Sequence, residues 1–491
     1  MSNTDTAPSN PDGITGKLTQ WIADTLYSSI PTDVVERAKY LILDGIACGL
    51  VAAHLPWSET AAKAVFKMEP EGQCSIIGWQ DKKLSPLAAT ILNSTFVQGF
   101  ELDDYHSRAP LHSNSLLLPA LLAAVESPGE VHKFSGEDFL RAYVVGCEVG
   151  PRVGLALHGA DLLSRGWHSG ALQGPSASCA AVSSLLRLPP AQVESALGIA
   201  CTQAGGLMSA QFGSMAKRMQ HGFAARNGLF AALIAKEGYT GIKEVYETPY
   251  GGFLSCFSQG TNFEPKNLPD ELISGLGERW ELHRIRVKLH AAMAALDGTI
   301  DCVAKLQEAH PDVFKNDKLD NIDKIVTQHS KAAYEHGGWI APADNPLSST
   351  AAQMSIQYAA AVQLLDREVL MAQYGAKKLN RPEIRTLMAK VQPEHNASSD
   401  SKSDLGFKTI VTVHFRDSEK TLEQSVAGPK GVTPPASNED IVEKWRSLVR
   451  GVIEDDRRDE IEAKVLTLDK GKDVTELIQL LQADVKCPID I

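Results

Sequence analysis

From Ala171 to Leu186 the chain reads ALQGPSASCAAVSSLL, and from Pro190 to Ala204 it reads PAQVESALGIACTQA. Both stretches have the apolar spacing of an α-helix, and small residues fill many of the remaining positions. Small side chains allow two helices to approach closely, which is typical of helices buried inside a protein. The two stretches therefore predict a compact helical domain in which most helices are buried.

Similar apolar helical stretches occupy the chain from Leu18 to about residue 236. The clearest of them are Leu87–Phe100, Ser115–Val125, Gly136–Ala156 and Gly222–Glu237. The pattern changes after Trp280, where alternating and β-branched residues become frequent. This region predicts three strands and two helices, at Arg284–Leu289, Asn321–His329, Lys408–Phe415, Thr299–Ala309 and Thr350–Leu365.

The C-terminal residues 439–482 again have the pattern of amphipathic helices with many charges. The predicted fold class is mainly α with an α+β lid, in which a large all-helical domain built from both termini is interrupted by a smaller α+β insertion. We place a disordered tail at 1–14, the first part of the helical domain at 15–280, the lid at 281–430 and the second helical part at 431–491.

The composition limits the function. The 491 residues include 60 acidic and 48 basic ones, which gives a formal net charge of −12. Such a chain is a poor candidate for binding nucleic acid or an anionic membrane, so neither is an expected partner. The N-terminus has neither the apolar stretch of a secretory signal nor early arginines, and we expect a cytoplasmic protein. The motifs GxGxxG, GxxxxGK[ST], HExxH and GxSxG are absent.

A polar segment, ELDDYHSRAPLH, spans Glu101–His112 between two apolar helices. Its carboxylates, including Asp103 and Asp104, and its histidines, His106 and His112, suit either proton transfer or a metal site. A solvated helix end with local ion pairs would have the same composition. A second polar position, His168, lies between glycines just before a helix rich in small residues, where a buried structural histidine is the simpler interpretation.

Two cationic segments suggest an anion site. No Asp or Glu occurs between Ala196 and Leu233, so Lys217, Arg218 and Arg226 have no counter-ion nearby in sequence. In the predicted strand that begins at Arg284, basic residues alternate and would project from one face: Arg284, Arg286, Lys288 and His290. A solvated helix face and a charged edge strand are the alternatives. Together the segments predict a cationic pocket for a small polycarboxylate or phosphate.

Five runs of sequence resemble the MmgE/PrpD family, which includes 2-methylcitrate dehydratases and cis-aconitate decarboxylases, and within it the fungal cis-aconitate decarboxylases most closely. The runs are Tyr40–Cys48, Leu92–Ala120, Gly166–Gly174, Ala196–Gly228 and Tyr250–Leu254. The resemblance implies a helical domain from both termini with an α+β lid, a homodimer, and an enzyme that needs no cofactor and no metal.

The resemblance also implies roles for individual residues. Five positions match family active-site residues: the catalytic His112, His168, Lys217 and Tyr358, and the substrate-binding Lys288. To these we add Asp103 as the carboxylate expected nearest the chemistry, and Arg218, Glu101 and His221 as expected substrate-binding residues. In the polar segment the family's leading aspartate is Glu101 here and its threonine is Tyr105, and the spacing to His112 is one residue longer than in many relatives.

The implied function is decarboxylation of cis-aconitate to itaconate with a shift of the double bond. Cations would bind the small tricarboxylate, and His112 or His168 would donate the proton. A dehydratase of a 2-methylcitrate- or alkylcitrate-type substrate, a decarboxylase of an alkyl-substituted aconitate, and a non-enzymatic interaction protein remain alternatives.

Overall fold

The computed structural model describes residues 6–129, 133–342, 345–400, 408–416 and 419–489. The first part of the chain is helical. Its helices are α1 (Ile14–Asp24), α2 (Thr32–Ala52), α3 (Pro56–Met68), α4 (Pro86–Val97), α5 (Ser113–Val125), α6 (Gly136–Ala156), α7 (Asp161–Ser164), α8 (Ser169–Leu185), α9 (Pro190–Cys201), α10 (Ala216–Lys236) and α11 (Phe253–Phe257). Four short strands accompany them: β1 (Cys74–Ile76), β2 (Trp79–Leu84), β3 (Tyr105–His106) and β4 (Ile285–Arg286).

Helix α8 lies at the centre of this part and packs against α5, α6, α9 and α10. Every residue of α8 is buried, as the small-residue pattern predicts. The close approach of α10 depends on Gly228, because a Cβ atom there would lie 2.6 Å from the carbonyl oxygen of Pro175 and the amide nitrogen of Cys179. This packing fixes the start of α10 relative to the start of α8.

The lid region combines helices with a four-stranded sheet. The helices are α12 (Ala294–Ala309), α13 (Lys331–Gly337), α14 (Ser349–Ala352), α15 (Ile356–Asp366), α16 (Ala376–Leu379) and α17 (Pro382–Lys390). The strands are β5 (Ile322–His329), β6 (Val391–His395), β7 (Thr409–Phe415) and β8 (Thr421–Val426). The sheet order is β6-β5-β7-β8, with β5 and β6 parallel and the other neighbours antiparallel. Helix α12 packs on β7 and β8 and on α15.

Three helices follow the lid: α18 (Asn438–Leu448), α19 (Asp455–Leu466) and α20 (Thr475–Gln482). Ser437 and Asp440 form a capping box that satisfies the first amides of α18. Helices α18 and α19 pack against α2, near the other end of the sequence. The predicted fold class, mainly α with an α+β lid, is confirmed. The exact domain boundaries stay a prediction.

Two predicted elements differ from the structure. The strand predicted at Arg284–Leu289 is wrong, because β4 contains only Ile285 and Arg286 and pairs with β3. Arg284 belongs to a short 3-10 helix, and the chain turns away after Arg286. The four basic residues therefore do not share one strand face. The helix predicted at Thr350–Leu365 is interrupted between α14 and α15, and residue 353 lies in the break.

Residues 6–13 contact the helical region, whereas we predicted a disordered tail at 1–14. The amide of Ala191 donates to the carbonyl oxygen of Thr6, and the amide of Ser9 donates to Glu194 at 3.0 Å. Residues 1–5 lie outside the described part of the chain.

Within the described ranges, no single helix combines the length and the apolar character needed to cross a membrane. Helices α2 and α3 meet these criteria only when taken together, and they are bent by 82° relative to each other.

Candidate active site

Three cations surround the carboxylate of Glu101. Lys217 and Arg218 lie in the first turn of α10, and Lys288 follows β4 by two residues. One Glu101 oxygen, Oε1, accepts from Lys217 and, at 2.8 Å, from Arg218; Oε2 accepts from Lys288 at 3.1 Å. All four side chains are buried. The two cationic segments of the sequence thus meet at Glu101. Lys288 reaches this point from the loop after β4 and not, as the sequence predicts, from a strand.

The cluster has more positive than negative charge. Burial opposes the ionisation of Glu101, but Lys217, Lys288 and Arg218 together hold its pKa well below the ordinary value. Burial and the neighbouring Arg218 lower the pKa of Lys217, while Glu101 partly offsets that effect. The pKa of Lys288 is raised because Glu101 and Asp103 outweigh the cost of burial. The carboxylates of Glu101 and Asp103 do not balance the three cations, and the remaining positive charge favours further anionic groups.

Three histidine rings lie beside these cations. His112 and His168 occupy the N-cap positions of α5 and α8, and His221 projects from α10. The ring centre of His221 is 5.1 Å from that of His112 and 4.9 Å from that of His168. The structure therefore brings together three implied site residues that are far apart in the sequence.

His112 pairs with a carboxylate. Its Nδ1 lies 3.1 Å from Oδ2 of Asp103, whose side chain is fully buried, whereas the His112 side chain is 18% exposed. Burial would raise the pKa of Asp103, but the contact with His112 lowers it below the ordinary value, so the carboxylate is ionised at neutral pH. An ionised carboxylate beside Nδ1 fixes the orientation of the ring and leaves Nε2 free to face the cluster.

The ring nitrogens of His221 face Ser115 and Gln98, with Gln98 Nε2 lying 3.5 Å from Nε2 of the histidine. Ser115 Oγ donates to the carbonyl oxygen of His112 at 3.1 Å, so His221 Nδ1–H is the donor in its 2.7 Å contact with Ser115. The ring also fills the space above Gly170, where a Cβ atom would lie 2.2 Å from Nε2. This contact explains why glycine follows Ser169 in the GWHSG segment.

His168 and His221 are neutral near pH 7. Burial, and then the charges of Lys217 and His112, lower the pKa of His168 to about 3. Burial also lowers the pKa of His221 well below its ordinary value, and His168 and His112 add to the effect. A proton donor at neutral pH is therefore better supplied by a histidine with a carboxylate partner.

Two residues of the polar segment have structural contacts instead. Asp104 accepts from the amides of Ser113 and Asn114, both at 2.9 Å, at the N-terminus of α5. His106 Nδ1 accepts from the amide of Ala109 at 3.0 Å, so its Nε2–H donates to Glu281 at 3.1 Å. Both side chains are fully buried.

Tyr358 lies inside the lid region. Its hydroxyl donates to the carbonyl oxygen of Gln373 at 2.6 Å, and the charges that act on it are those of Arg381 and Asp366. The ring centre is 5.3 Å from that of Tyr374. None of these contacts joins Tyr358 to the Glu101 cluster, and its implied catalytic role stays a prediction.

Four residues near the cluster were not singled out by sequence reasoning: Gln353, Lys444, Asp297 and Tyr374. Gln353 and Lys444 hydrogen-bond to the backbone on either side of Glu101. Asp297 and the Tyr374 hydroxyl are buried without a hydrogen-bond partner among the described residues. Burial, with Asp301 adding to it, raises the pKa of Asp297 well above the ordinary value. One feature of the sequence could have identified Asp297: it is the first acidic residue after the acid-free stretch 282–296.

In the described ranges, no three side chains of His, Cys, Asp or Glu are grouped as ligands for a metal ion. The arrangement instead provides cations for anionic groups and a carboxylate-paired histidine for proton transfer.

Comparison with known proteins gives a consistent assignment. Residues 16–266 match the MmgE/PrpD N-terminal domain, and residues 290–470 match the MmgE/PrpD C-terminal domain. The cis-aconitate decarboxylase-like protein oryM of Aspergillus oryzae is 50% identical over 481 residues, covering 97% of this chain and 99% of that protein.

Two further relatives are named cis-aconitate decarboxylase. The protein of Aspergillus terreus is 46% identical over 480 residues, which cover 97% of this chain and 97% of that protein. The human protein is 26% identical over 451 residues, or 91% of this chain and 90% of that one. On this similarity, and with both family domains matched, the chain belongs to the MmgE/PrpD family.

Proposed function

We propose that this chain is a carboxy-lyase that converts cis-aconitate to itaconate without a cofactor or a metal ion. The observation that carries the proposal is the convergence of Lys217, Arg218 and Lys288 on one carboxylate, beside three histidines. Relatives that cover nearly the whole chain bear the name of this activity.

The substrate suits the charge of the cluster. cis-Aconitate carries three carboxylates at neutral pH, and Glu101 neutralises only one of the three cations that contact it. The remaining positive charge would bind the substrate carboxylates and stabilise the negative charge that develops as CO2 leaves. We therefore assign substrate binding to these cations, with Glu101 fixing their positions.

The reaction requires one proton at a defined carbon. The bond between the CH2 carbon and its carboxylate breaks, and the electron pair spreads over the allylic carbons and the remaining carboxylates. A proton added to the far carbon moves the double bond and gives itaconate. We assign the donor to His112, because its ring is partly exposed at the cluster and pairs with the Asp103 carboxylate, while His168 and His221 are neutral.

Product analysis in D2O tests this proposal. The purified protein is incubated with cis-aconitate and, separately, with 2-methylcitrate, and NMR and CO2 release are followed. We expect itaconate with a single deuterium in its CH2–COO⁻ group, and no reaction of 2-methylcitrate. Loss of water from 2-methylcitrate without CO2 release from cis-aconitate would replace this function with a dehydratase. EDTA should leave the rate unchanged, and an EDTA-sensitive rate would contradict the cofactor-free assignment.

We further propose that the protein is a homodimer in which a second copy covers α10. The outward face of this helix carries Phe223 and Phe230, which are 44% and 38% exposed, with Met219 and Arg226 on the same side. Exposed aromatic side chains beside an arginine on one face of a long helix are typical of an interface. Light scattering should give twice the chain mass, and Phe223→Ser with Phe230→Ser should give the monomer. A monomeric wild type would contradict this assembly.

The expectations of a cytoplasmic location and of no nucleic-acid or membrane partner stay predictions. Imaging of the tagged protein and retention assays on DNA and anionic vesicles would test them.

A further inference from the structure

The backbone of Glu101 has an unusual conformation. Its φ is +53°, in the left-handed region that residues other than glycine rarely adopt. Such a conformation persists only where the surroundings fix it, and it clusters at functional sites. The contacts of the two neighbouring residues therefore bear on how Glu101 is positioned.

A side chain from the lid region binds the carbonyl on one side. Gln353, in the break between α14 and α15, donates from Nε2 to the carbonyl oxygen of Phe100 at 3.0 Å. Its Oε1 accepts from Arg218, which also contacts Glu101. One buried amide thus contacts both the backbone before Glu101 and one of its cations.

A side chain from the C-terminal helices binds the carbonyl on the other side. Lys444 of α18 donates from Nζ to the carbonyl oxygen of Leu102 at 2.6 Å. The same Nζ lies 2.5 Å from a carboxylate oxygen of Asp44 on α2, and both side chains are buried. Asp44 outweighs the effect of burial on Lys444 and keeps its pKa raised. The ammonium therefore remains charged and can hold the carbonyl.

We infer that Gln353 and Lys444 are positioning residues that fix Glu101, and through it the three substrate-binding cations, by binding the carbonyls of Phe100 and Leu102. This pair of contacts, which we call the carbonyl clamp, joins the lid region and α18 to the active site. Its kinetic consequence rests on the proposed function. Without the clamp Glu101 would leave the left-handed conformation, and the cations would lose their common partner.

Two variants remove the clamp. Gln353→Met removes the amide at similar volume. Asp44→Asn combined with Lys444→Met removes both members of the buried ion pair, so that neither charge is left unpaired. Two matched variants are controls: Gln357→Met, whose amide donates to the carbonyls of Met388 and Val391, and Lys390→Met, whose ammonium donates to that of Leu319.

Hydrogen exchange of a peptide covering residues 99–106 is the direct measurement, because amide exchange reports local opening. We expect exchange of its amides to be at least about tenfold faster in both clamp variants. We also expect kcat/KM for cis-aconitate to fall about tenfold, with contributions from both KM and kcat, because the disturbed cations bind the substrate and stabilise the charge that develops as CO2 leaves. The control variants should match the wild type in both measurements.

Unchanged exchange at residues 99–106 in the clamp variants overturns the inference, whatever happens to the activity. Equal acceleration in the control variants also overturns it, since the effect would then be a general loss of stability. If the wild type does not turn over cis-aconitate, the proposed function fails, and the exchange measurement alone decides on the clamp.

Discussion

Two histidines of one short segment, His106 and His112, each pair with a carboxylate, and the two pairs have different surroundings. In the inner pair, His106 and Glu281, both histidine nitrogens are engaged and the ring is fully buried. In the site pair, His112 and Asp103, only Nδ1 contacts the carboxylate, and the ring is partly exposed beside His221. The inner pair can only join segments, whereas the site pair retains a nitrogen for a substrate.

Residue types alone do not distinguish the two pairs, since each consists of one histidine and one carboxylate. Glu281 also contacts Arg279 at 2.9 Å and Arg284 at 3.5 Å, so its charge is balanced locally. His112 and Asp103 lie next to Lys288 and Glu101, where excess positive charge remains. The two pairs differ in how many hydrogen-bond and ionic partners each ring nitrogen and carboxylate has. Substitution of each histidine tests this difference.

The largest expected effect is on the site pair. His112→Asn should lower kcat by about a hundredfold or more, because the reaction loses its proton donor. The free energy of unfolding should change by less than about 1 kcal/mol, since the ring is partly exposed and makes one charged contact. Single-turnover kinetics and thermal melts measure the two quantities. Ordinary turnover in the folded variant would contradict the assignment of the donor.

The inner pair should show the opposite behaviour. His106→Asn breaks buried hydrogen bonds to Glu281 and to the amide of Ala109, which should cost about 2–3 kcal/mol of unfolding free energy. The kcat of the folded variant should stay within about tenfold of the wild type, because His106 has no nitrogen left for a substrate. Urea titrations and initial rates measure these values. A hundredfold loss of kcat at unchanged stability would remove the distinction between the pairs.

The sequence predicted what depends on local composition. Small residues predicted the buried α8, which is confirmed. An acid-free stretch indicated that Lys217 and Arg218 lack a counter-ion nearby in sequence, and their carboxylate partner is the distant Glu101. His106 and His112 lie in one polar segment, and the sequence of that segment does not show which of them has hydrogen-bond partners on both ring nitrogens. That depends on Glu281 and Ala109, which approach only when β3 pairs with β4.

The failed strand prediction has a related physical cause. Alternating basic residues predicted one charged strand face, but three of the four contact different carboxylates: Arg284 with Glu281, Lys288 with Glu101, and His290 with Asp301. Arg286 donates to the carbonyl oxygen of His283. Gln353 and Lys444 escaped prediction because each acts as a single side chain from a distant element. Neither has a sequence pattern that indicates a backbone carbonyl as its partner.

The smallest expected effect concerns His168, which is buried near the site pair and forms no ion pair with a carboxylate of the described residues. Its pKa of about 3 lies below the ordinary value in an unfolded chain, about 6.5. As pH falls from 7 to 5 the unfolded chain therefore takes up a proton at this position while the folded protein does not, and the folded state loses stability. His168→Gln removes this contribution, so the stability of the variant relative to the wild type should rise by about 1–2 kcal/mol between pH 7 and pH 5. Parallel urea titrations at the two pH values measure the difference. An unchanged difference between variant and wild type would mean that His168 takes up its proton equally well in the folded protein, and the neutral state assigned to it beside Lys217 would be wrong.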